Sequence, residues 1–161
     1  IYKPVLLGGL HNLHGIKAPA FIPAKAKHMV RDCKLIAEKN NIRFKFNSYF
    51  PIRSLNLMRG VLVAEEDNIK KYYIDNIFNS IWQDGLNMND ATVVQKILQN
   101  LNVNPKTFSL RTSSSLIKDL LRKKTNQAYE KGVFGAPTFV VNNKIFWGQD
   151  RIEFALKEAS K

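Results

Sequence analysis

The sequence predicts an α/β fold in which a long helical block lies between a short strand and a β-hairpin. Residues 1–7 are predicted as a strand, because apolar and β-branched residues precede a pair of glycines. Residues 15–131 carry helical patterns and no strand signal of comparable strength. Near the end, Asn142 and Asn143 separate two apolar runs, and asparagine tolerates the positive φ that a tight hairpin turn needs. Strand, helical block, hairpin and closing helix therefore follow one another along the chain.

The helices of the block are predicted from apolar spacing and from end signals. Pro23 suits the first turn of a helix over residues 24–40, because its missing N–H has no partner to lose there. Further helices are predicted over residues 55–64, 69–83 and 91–102, followed by a short turn at residues 104–105 and a long helix that ends at residue 131. The candidate caps at the helix starts are Ser54, Asp67 or Asn68, Asn89 or Asp90, and Ser113 or Ser114.

Within the last thirty residues, a proline stands at the start of a predicted strand and a predicted helix begins shortly afterwards. Pro137 stands at the first residue of a predicted strand, where its missing N–H leaves backbone free to pair outside the sheet. Gly148, Gln149 and Asp150 open a predicted helix over residues 150–159. Unpaired backbone groups beside a helix N-terminus form a favourable binding site for a peptide-like anion.

The charge of the chain is strongly basic, at +12 from 25 Lys and Arg against 13 Asp and Glu. The basic residues are scattered, and the densest clusters are residues 70–71 and 122–124, which lack the interleaved aromatics of a nucleic-acid stacking surface. We interpret the charge as a lysine-rich solvated surface and expect no nucleic-acid partner. No apolar run approaches the length of a membrane span, so no membrane partner is expected.

Cysteine and histidine usage limits the chemistry. Cys33 is the single cysteine, which excludes a disulfide or a Cys-x-x-Cys redox pair within these residues. Its place in a helical apolar pattern predicts a buried structural thiol. His11, His14 and His28 lack the spacing of a metal site, so no metal is predicted.

Several stretches of the chain resemble a known family. Gly132-Val-Phe-Gly-Ala-Pro-Thr-Phe-Val-Val141, the hairpin and Phe146-Trp-Gly-Gln-Asp-Arg151 resemble the C-terminal end of the 2-hydroxychromene-2-carboxylate isomerases. These are similar to kappa-class glutathione transferases and belong to the DsbA-like branch of thioredoxin folds. Residues 2–10 and 18–25 resemble that family's second core strand and the entry to its helical insertion, and residues 31–32 and 49–51 also match.

The resemblance implies a thioredoxin-like (DsbA-like) core with a large all-helical insertion. Residues 1–14 would supply the second core strand, residues 15–131 the insertion, and residues 132–161 the C-terminal hairpin and helix of the core. The family's N-terminal strand–helix unit has no counterpart in this chain, and its strand would lie between residues 1–7 and 138–141. Because that unit carries the family's catalytic serine, we expect no catalytic residue among these 161.

Glutathione is the cofactor that the resemblance implies. Its binding residues would be Ala136, Pro137, Trp147, Gly148, Gln149 and Asp150. The backbone of Ala136 would pair with the cysteinyl residue beside a cis Pro137, and Gln149 and Asp150 would hold the γ-glutamyl end. Two simpler roles remain open, a plain helix cap for Asp150 and core or rim packing for Trp147.

The substrate side departs from the family's pattern. His11 or Asn12 stands where the family has a lysine, and Ile16 stands where it has an asparagine. Phe50 matches a substrate-facing aromatic of some members, although packing in an aromatic core is an alternative role.

The implied activity is glutathione-dependent cis–trans isomerisation through reversible thiol addition, acting in aromatic compound catabolism. The alternatives are a kappa-class-like glutathione transferase, a DsbA-family disulfide oxidoreductase and a non-catalytic glutathione-binding protein. The expected partners are a small aromatic or conjugated substrate and a second copy of the chain in a homodimer. A reducing cytoplasm suits both glutathione and the lone cysteine.

Overall fold

The computed structural model describes all residues from 1 to 161 and contains eight α-helices and one two-stranded sheet. The helices are α1 (Leu7–Leu13), α2 (Pro23–Lys39), α3 (Leu55–Glu66), α4 (Lys70–Trp82), α5 (Ala91–Asn100), α6 (Pro105–Thr112), α7 (Ser115–Glu130) and α8 (Ile152–Ala159). Short 3-10 turns lie at Pro19–Phe21 and Gln149–Arg151. None of these helices is both long and apolar enough to cross a membrane.

The chain divides into two compact units. The terminal unit consists of Ile1–Lys17 and Leu120–Lys161, and the central unit consists of Ala18–Asp119. The predicted division at residues 14 and 131 stays a prediction.

The sheet of the terminal unit is the predicted hairpin. β1 (Thr138–Val141) and β2 (Lys144–Trp147) are antiparallel, with Thr138 opposite Trp147. Asn142 and Asn143 form the turn with φ of 48° and 61°, as the two asparagines predict. α8 packs on β1, and β2 is the only strand beside β1.

The strand predicted over residues 1–7 is not formed. Residues 1–6 have no regular secondary structure, and Leu7 begins α1. A strand needs backbone partners along its length, whereas here the N–H of Leu6 donates to a side chain, Oγ1 of Thr125 at 3.0 Å. Pro4 has no N–H to offer a neighbouring strand.

The core of the central unit lies where α3 packs against α4 and α6. Tyr73 on α4 is only 1% exposed, and its hydroxyl donates to the carbonyl of Leu57 at 3.2 Å. The ring of Phe108 lies 5.5 Å from that of Tyr73 between centroids. Gly60 of α3 leaves the room that these two rings occupy.

Three helices end at asparagines in the left-handed region. Asn41, Asn68 and Asn102 have φ of 53°, 60° and 57° and follow α2, α3 and α5. The residue after each asparagine donates back into the helix, as from Ile69 N–H to the Ala64 carbonyl at 2.9 Å. Asn68 therefore ends α3 and does not cap α4, whose cap position is Ile69 without a side-chain hydrogen bond.

The predicted starts of α2 and α5 are confirmed. Pro23 occupies the first turn of α2. The carboxylate of Asp90 caps α5 by accepting from the Thr92 N–H at 2.8 Å. Hydrogen bonds from the Thr92 hydroxyl and then from this N–H lower the pKa of Asp90. The turn predicted at residues 104–105 continues into a full helix, α6, which Asn104 caps.

Candidate functional site

The Ala136–Pro137 peptide bond is cis and leaves main-chain groups free at the start of β1. The carbonyl of Pro137 accepts from the Gly148 N–H at 3.0 Å, just beyond the last residue pair of the hairpin. The N–H and C=O of Ala136 make no hydrogen bond within the chain, and the residue is exposed. Ala136 therefore offers one donor and one acceptor to an extended ligand.

Two contacts fix the backbone that precedes Ala136. The hydroxyl of Thr138 donates to the Gly135 carbonyl at 2.7 Å. The indole of Trp147 lies against the Cα of Gly135, and the ring of Phe134 lies 5.0 Å from that indole in a tilted arrangement. Trp147 is still 51% exposed, so it packs on one face and meets solvent on the other. Sequence reasoning missed Gly135 and Thr138, because their partners become visible only in three dimensions.

The segment after β2 turns sharply at Gly148. Its φ of 110° is a conformation that glycine adopts without strain, and a Cβ there would also collide with the carboxylate of Asp150. The Arg151 N–H donates to the Gly148 carbonyl at 3.2 Å, whereas the N–H groups of Gln149 and Asp150 have no backbone acceptor. Two free donors at the start of a helical segment favour an anionic group there.

Asp150 is not a helix cap. The cap positions of the 3-10 turn and of α8 are Gly148 and Arg151, and neither involves a side-chain hydrogen bond. The carboxylate of Asp150 instead pairs with the guanidinium of Arg151 at 3.0 Å, and both side chains are more than half exposed. Exposed ion pairs contribute little free energy, so this carboxylate stays accessible to a cationic group of a ligand.

His11 and Asn12 lie on α1, and no hydrogen bond or ion pair involves either side chain. The neighbouring His14 is engaged instead. Its Nε2 donates to the Val133 carbonyl at 2.9 Å, because a carbonyl can only accept, and its ring lies 4.5 Å from that of Tyr129. His14 thus holds α1 against the segment that leads to Gly135, a structural role that no sequence pattern indicates.

Phe50 belongs to the central unit, where it joins an aromatic cluster formed by Phe44, Phe46, Phe50 and Trp82. The Phe46 and Phe50 rings meet edge to face at 5.4 Å, and the Trp82 ring lies 6.1 Å from Phe50. Phe50 therefore packs in an aromatic cluster, which was its alternative role, and a substrate role for Phe50 stays a prediction.

Cys33 is half-buried on α2. Burial, with a smaller contribution from the Asp32 carboxylate, raises the pKa of its thiol. A protonated thiol is a poor nucleophile, so the structure favours the predicted structural role.

A family model described as a DSBA-like thioredoxin domain matches residues 1–159. Among curated proteins, 2-hydroxychromene-2-carboxylate isomerase of Sphingobium xenophagum is 27% identical over 130 residues, which are 81% of this chain and 66% of that protein. Glutathione S-transferase kappa 1 of Rattus norvegicus is 24% identical over 168 residues, with 94% of this chain and 73% of that protein covered.

A solved structure of 2-hydroxychromene-2-carboxylate isomerase superposes with a TM-score of 0.87 at 21% identity, over 99% of this chain and 78% of that chain. At this identity the likeness shows the fold, which is the DsbA-like thioredoxin fold in a mostly helical form with a small two-stranded sheet. The chain spans 66% of the length of the isomerases from Sphingobium xenophagum and Pseudomonas putida.

Proposed function

Because this chain belongs to the DSBA-like thioredoxin domain family, we propose that its terminal unit binds glutathione for a cis–trans isomerisation of a conjugated aromatic compound. The names of the isomerase and transferase relatives support this proposal. The observation that carries it is the unpaired backbone of Ala136 beside the cis bond to Pro137.

The residues present fit a γ-glutamyl tripeptide. Ala136 supplies an N–H and a C=O with the spacing of a strand, so an extended cysteinyl residue completes two main-chain hydrogen bonds there. The hydrogen bond from the Gly148 N–H to the Pro137 carbonyl joins the backbone at Ala136 to the segment after β2, which carries the other proposed contacts.

The polar contacts for the γ-glutamyl end come from the segment after β2. The free N–H groups of Gln149 and Asp150 would donate to its carboxylate, and its ammonium would donate to the Asp150 side chain. The exposed face of Trp147 covers the ligand at the rim of the site.

When bound, glutathione supplies a thiolate for reversible addition to a conjugated alkene, which becomes free to rotate until elimination restores the double bond. The chain contributes binding and orientation, through the main chain of Ala136 and the helical start at Gln149. No residue among the 161 is assigned to thiolate activation.

A kappa-class-like transferase is the second candidate, and the rat relative supports it. Both candidates require the same glutathione site and differ in whether the thiolate leaves again. The proposal includes a reducing compartment such as the cytoplasm, where glutathione stays a thiol, and a homodimer like that of the resembled family.

Calorimetric titration with reduced glutathione tests the site. Asp150→Asn removes the charge that faces the ammonium, and we expect glutathione to bind about tenfold more weakly, as for one charge-assisted hydrogen bond. Glu153→Gln is the matched control, because Glu153 is an exposed acidic residue of α8 that makes no ion pair. Equal dissociation constants for the two variants, or no binding to the unmodified chain, would contradict the proposal.

A further inference from the structure

The central unit contains a cavity of about 340 Å³ between the end of α3, the loop that joins α5 to α6, and α6 itself. Its volume falls within the usual range of small-molecule pockets, roughly 300–1,000 Å³. None of the residues that the glutathione proposal uses lines this cavity. The cavity therefore offers room for a second, different ligand.

Part of the cavity wall is apolar. Ile69, Leu101 and Val103 line it and are half-buried, and Phe108 lines it with a side chain that is only 4% exposed. Each methylene group that leaves water for such a wall adds to the free energy of binding. This part of the cavity suits a short aliphatic stem.

Two helices end at the cavity. Asp67 and Leu101 are the C-cap residues of α3 and α5, and both line it. No backbone N–H donates to the carbonyl of either residue. Helix C-termini carry partial negative charge, and only one helix, α6, begins at the cavity with the opposite polarity, at its cap Asn104. The backbone thus favours a cation.

The side chains at the cavity add negative charge. Arg111 is the one cation among the lining residues, and two carboxylates share its guanidinium. The guanidinium donates to Asp67 at 2.8 and 2.9 Å and to Glu66 at 2.7 Å. The nearby Lys106 of α6 pairs with neither carboxylate. One negative charge is therefore left without a cationic partner, in a chain whose net charge is +12.

We infer that this cavity binds a small organic cation, a primary ammonium group on a short aliphatic stem. The stem lies against Ile69, Val103 and Phe108, and the ammonium lies beside the Asp67 carboxylate at the end of α3. The inference goes beyond the proposed function and does not depend on it.

Calorimetric titration with hexylamine, hexanol and hexanoate tests the inference, because the three compounds share a stem and differ in charge. We expect hexylamine to bind most tightly and hexanoate least. Butylamine has two fewer methylene groups and should bind about tenfold more weakly than hexylamine. Equal affinity for hexylamine and hexanoate would overturn the inference, as would absence of hexylamine binding.

Asp67→Asn and Glu66→Gln each remove one carboxylate charge. We expect each change to weaken hexylamine binding about fivefold and to leave hexanol binding unchanged, as for one partly exposed ion pair. Asp84→Asn is the matched control, because Asp84 is an aspartate of the same unit that pairs with Arg43 at 3.3 Å and does not line the cavity. Hexylamine affinity that is the same in all three variants would contradict the inference.

A further titration distinguishes two sources of the ammonium group. Nα-acetyl-lysine methylamide presents the same ammonium and stem on a peptide backbone. Tighter binding of this compound than of hexylamine assigns the cavity to a lysine side chain of a partner protein, and weaker binding assigns it to a free amine. In either case Asp67→Asn should lower the affinity, and an unchanged affinity for both compounds would count against the site.

Discussion

Trp147 lies so close to Gly135 that a Cβ built on the glycine would be 2.5 Å from the indole Nε1. Real Cβ atoms essentially never approach a neighbour so closely. The position of the tryptophan therefore depends on the absence of a side chain one residue before Ala136. This contact joins the loop before β1 to the end of β2 and shapes the rim of the proposed glutathione site.

Gly135→Ala should displace the indole and weaken glutathione binding. The inserted methyl group overpacks the contact, and we expect a loss of about 1–3 kcal/mol in the free energy of unfolding. Urea denaturation and glutathione calorimetry measure the two effects. Gly8→Ala is the control, because a Cβ at Gly8 would meet no atom within 4 Å. If Gly135→Ala binds glutathione as well as Gly8→Ala does, Trp147 has no part in the site.

Gly60→Ala should destabilise the central unit. A Cβ at Gly60 would collide with the hydroxyl of Tyr73 and would lie 2.6 Å from its Cζ, inside a core that is closed to solvent. We expect a loss of about 1–3 kcal/mol, measured by urea denaturation.

A double-mutant cycle locates this effect. Tyr73→Phe removes the hydroxyl and its hydrogen bond to Leu57, at a cost of about 1 kcal/mol. In that background Gly60→Ala should cost less than in the unmodified chain, because the closest contact is gone while the contact with Cζ remains. Strict additivity of the two changes would show that the clash is relieved elsewhere.

Thr125→Val should loosen the first residues of the chain. The buried Thr125 hydroxyl accepts from the Leu6 N–H at 3.0 Å and donates to the Leu121 carbonyl at 2.9 Å. Valine has a similar shape but cannot accept, so the Leu6 N–H loses its partner. We expect a loss of about 1–2 kcal/mol in unfolding free energy and faster hydrogen exchange at Leu6. Thr125→Ser keeps the hydroxyl, and its Leu6 exchange rate should stay near that of the unmodified chain.

Glu158 should make the stability of the chain depend on acid pH. Hydrogen bonds from Lys161 and then Lys144, at 2.8 and 2.9 Å, lower the pKa of its carboxyl from 4.5 to about 2. Because the folded pKa lies below the unfolded one, the stabilisation is fully present above pH 4.5 and is lost as the pH falls toward 2. Glu158→Gln should flatten this part of the stability profile, measured by urea denaturation at a series of pH values. Glu153→Gln serves as the control and should keep the slope of the unmodified chain.

Local signals predicted the parts of the fold that depend on local chemistry. The hairpin follows from the backbone preference of two adjacent asparagines, and α5 begins where the Asp90 carboxylate reaches a nearby N–H. The prediction of a strand over residues 1–7 was wrong, because a strand forms only with backbone hydrogen-bond partners that lie elsewhere in the sequence. Asn68, one of the two candidate caps for α4, instead follows the end of α3, because asparagine is favoured both at a helix start and in the left-handed position after a helix end.

The candidate site likewise has features that local signals predict and features that depend on distant residues. The cis bond at Pro137 and the hairpin end followed from motif and family resemblance. Two contacts of the site join residues in different segments of the chain, and the periodicity of apolar residues does not predict such contacts. They are the Gly135–Trp147 contact and the His14–Val133 hydrogen bond. The absent strand–helix unit and the site roles of His11, Asn12 and Phe50 stay predictions.

The pairing of β1 with a single neighbour has a practical consequence for every measurement on this chain. One edge of Thr138–Val141 keeps main-chain donors and acceptors that no other strand covers, and such an edge is a template for another copy. Concentrated samples should therefore self-associate through β1, close to the backbone that the glutathione titration probes. Val140 is 43% exposed on this strand, and a lysine there would discourage edge pairing without entering the proposed site. Titrations repeated at several protein concentrations then distinguish a ligand that competes with self-association from one that does not bind.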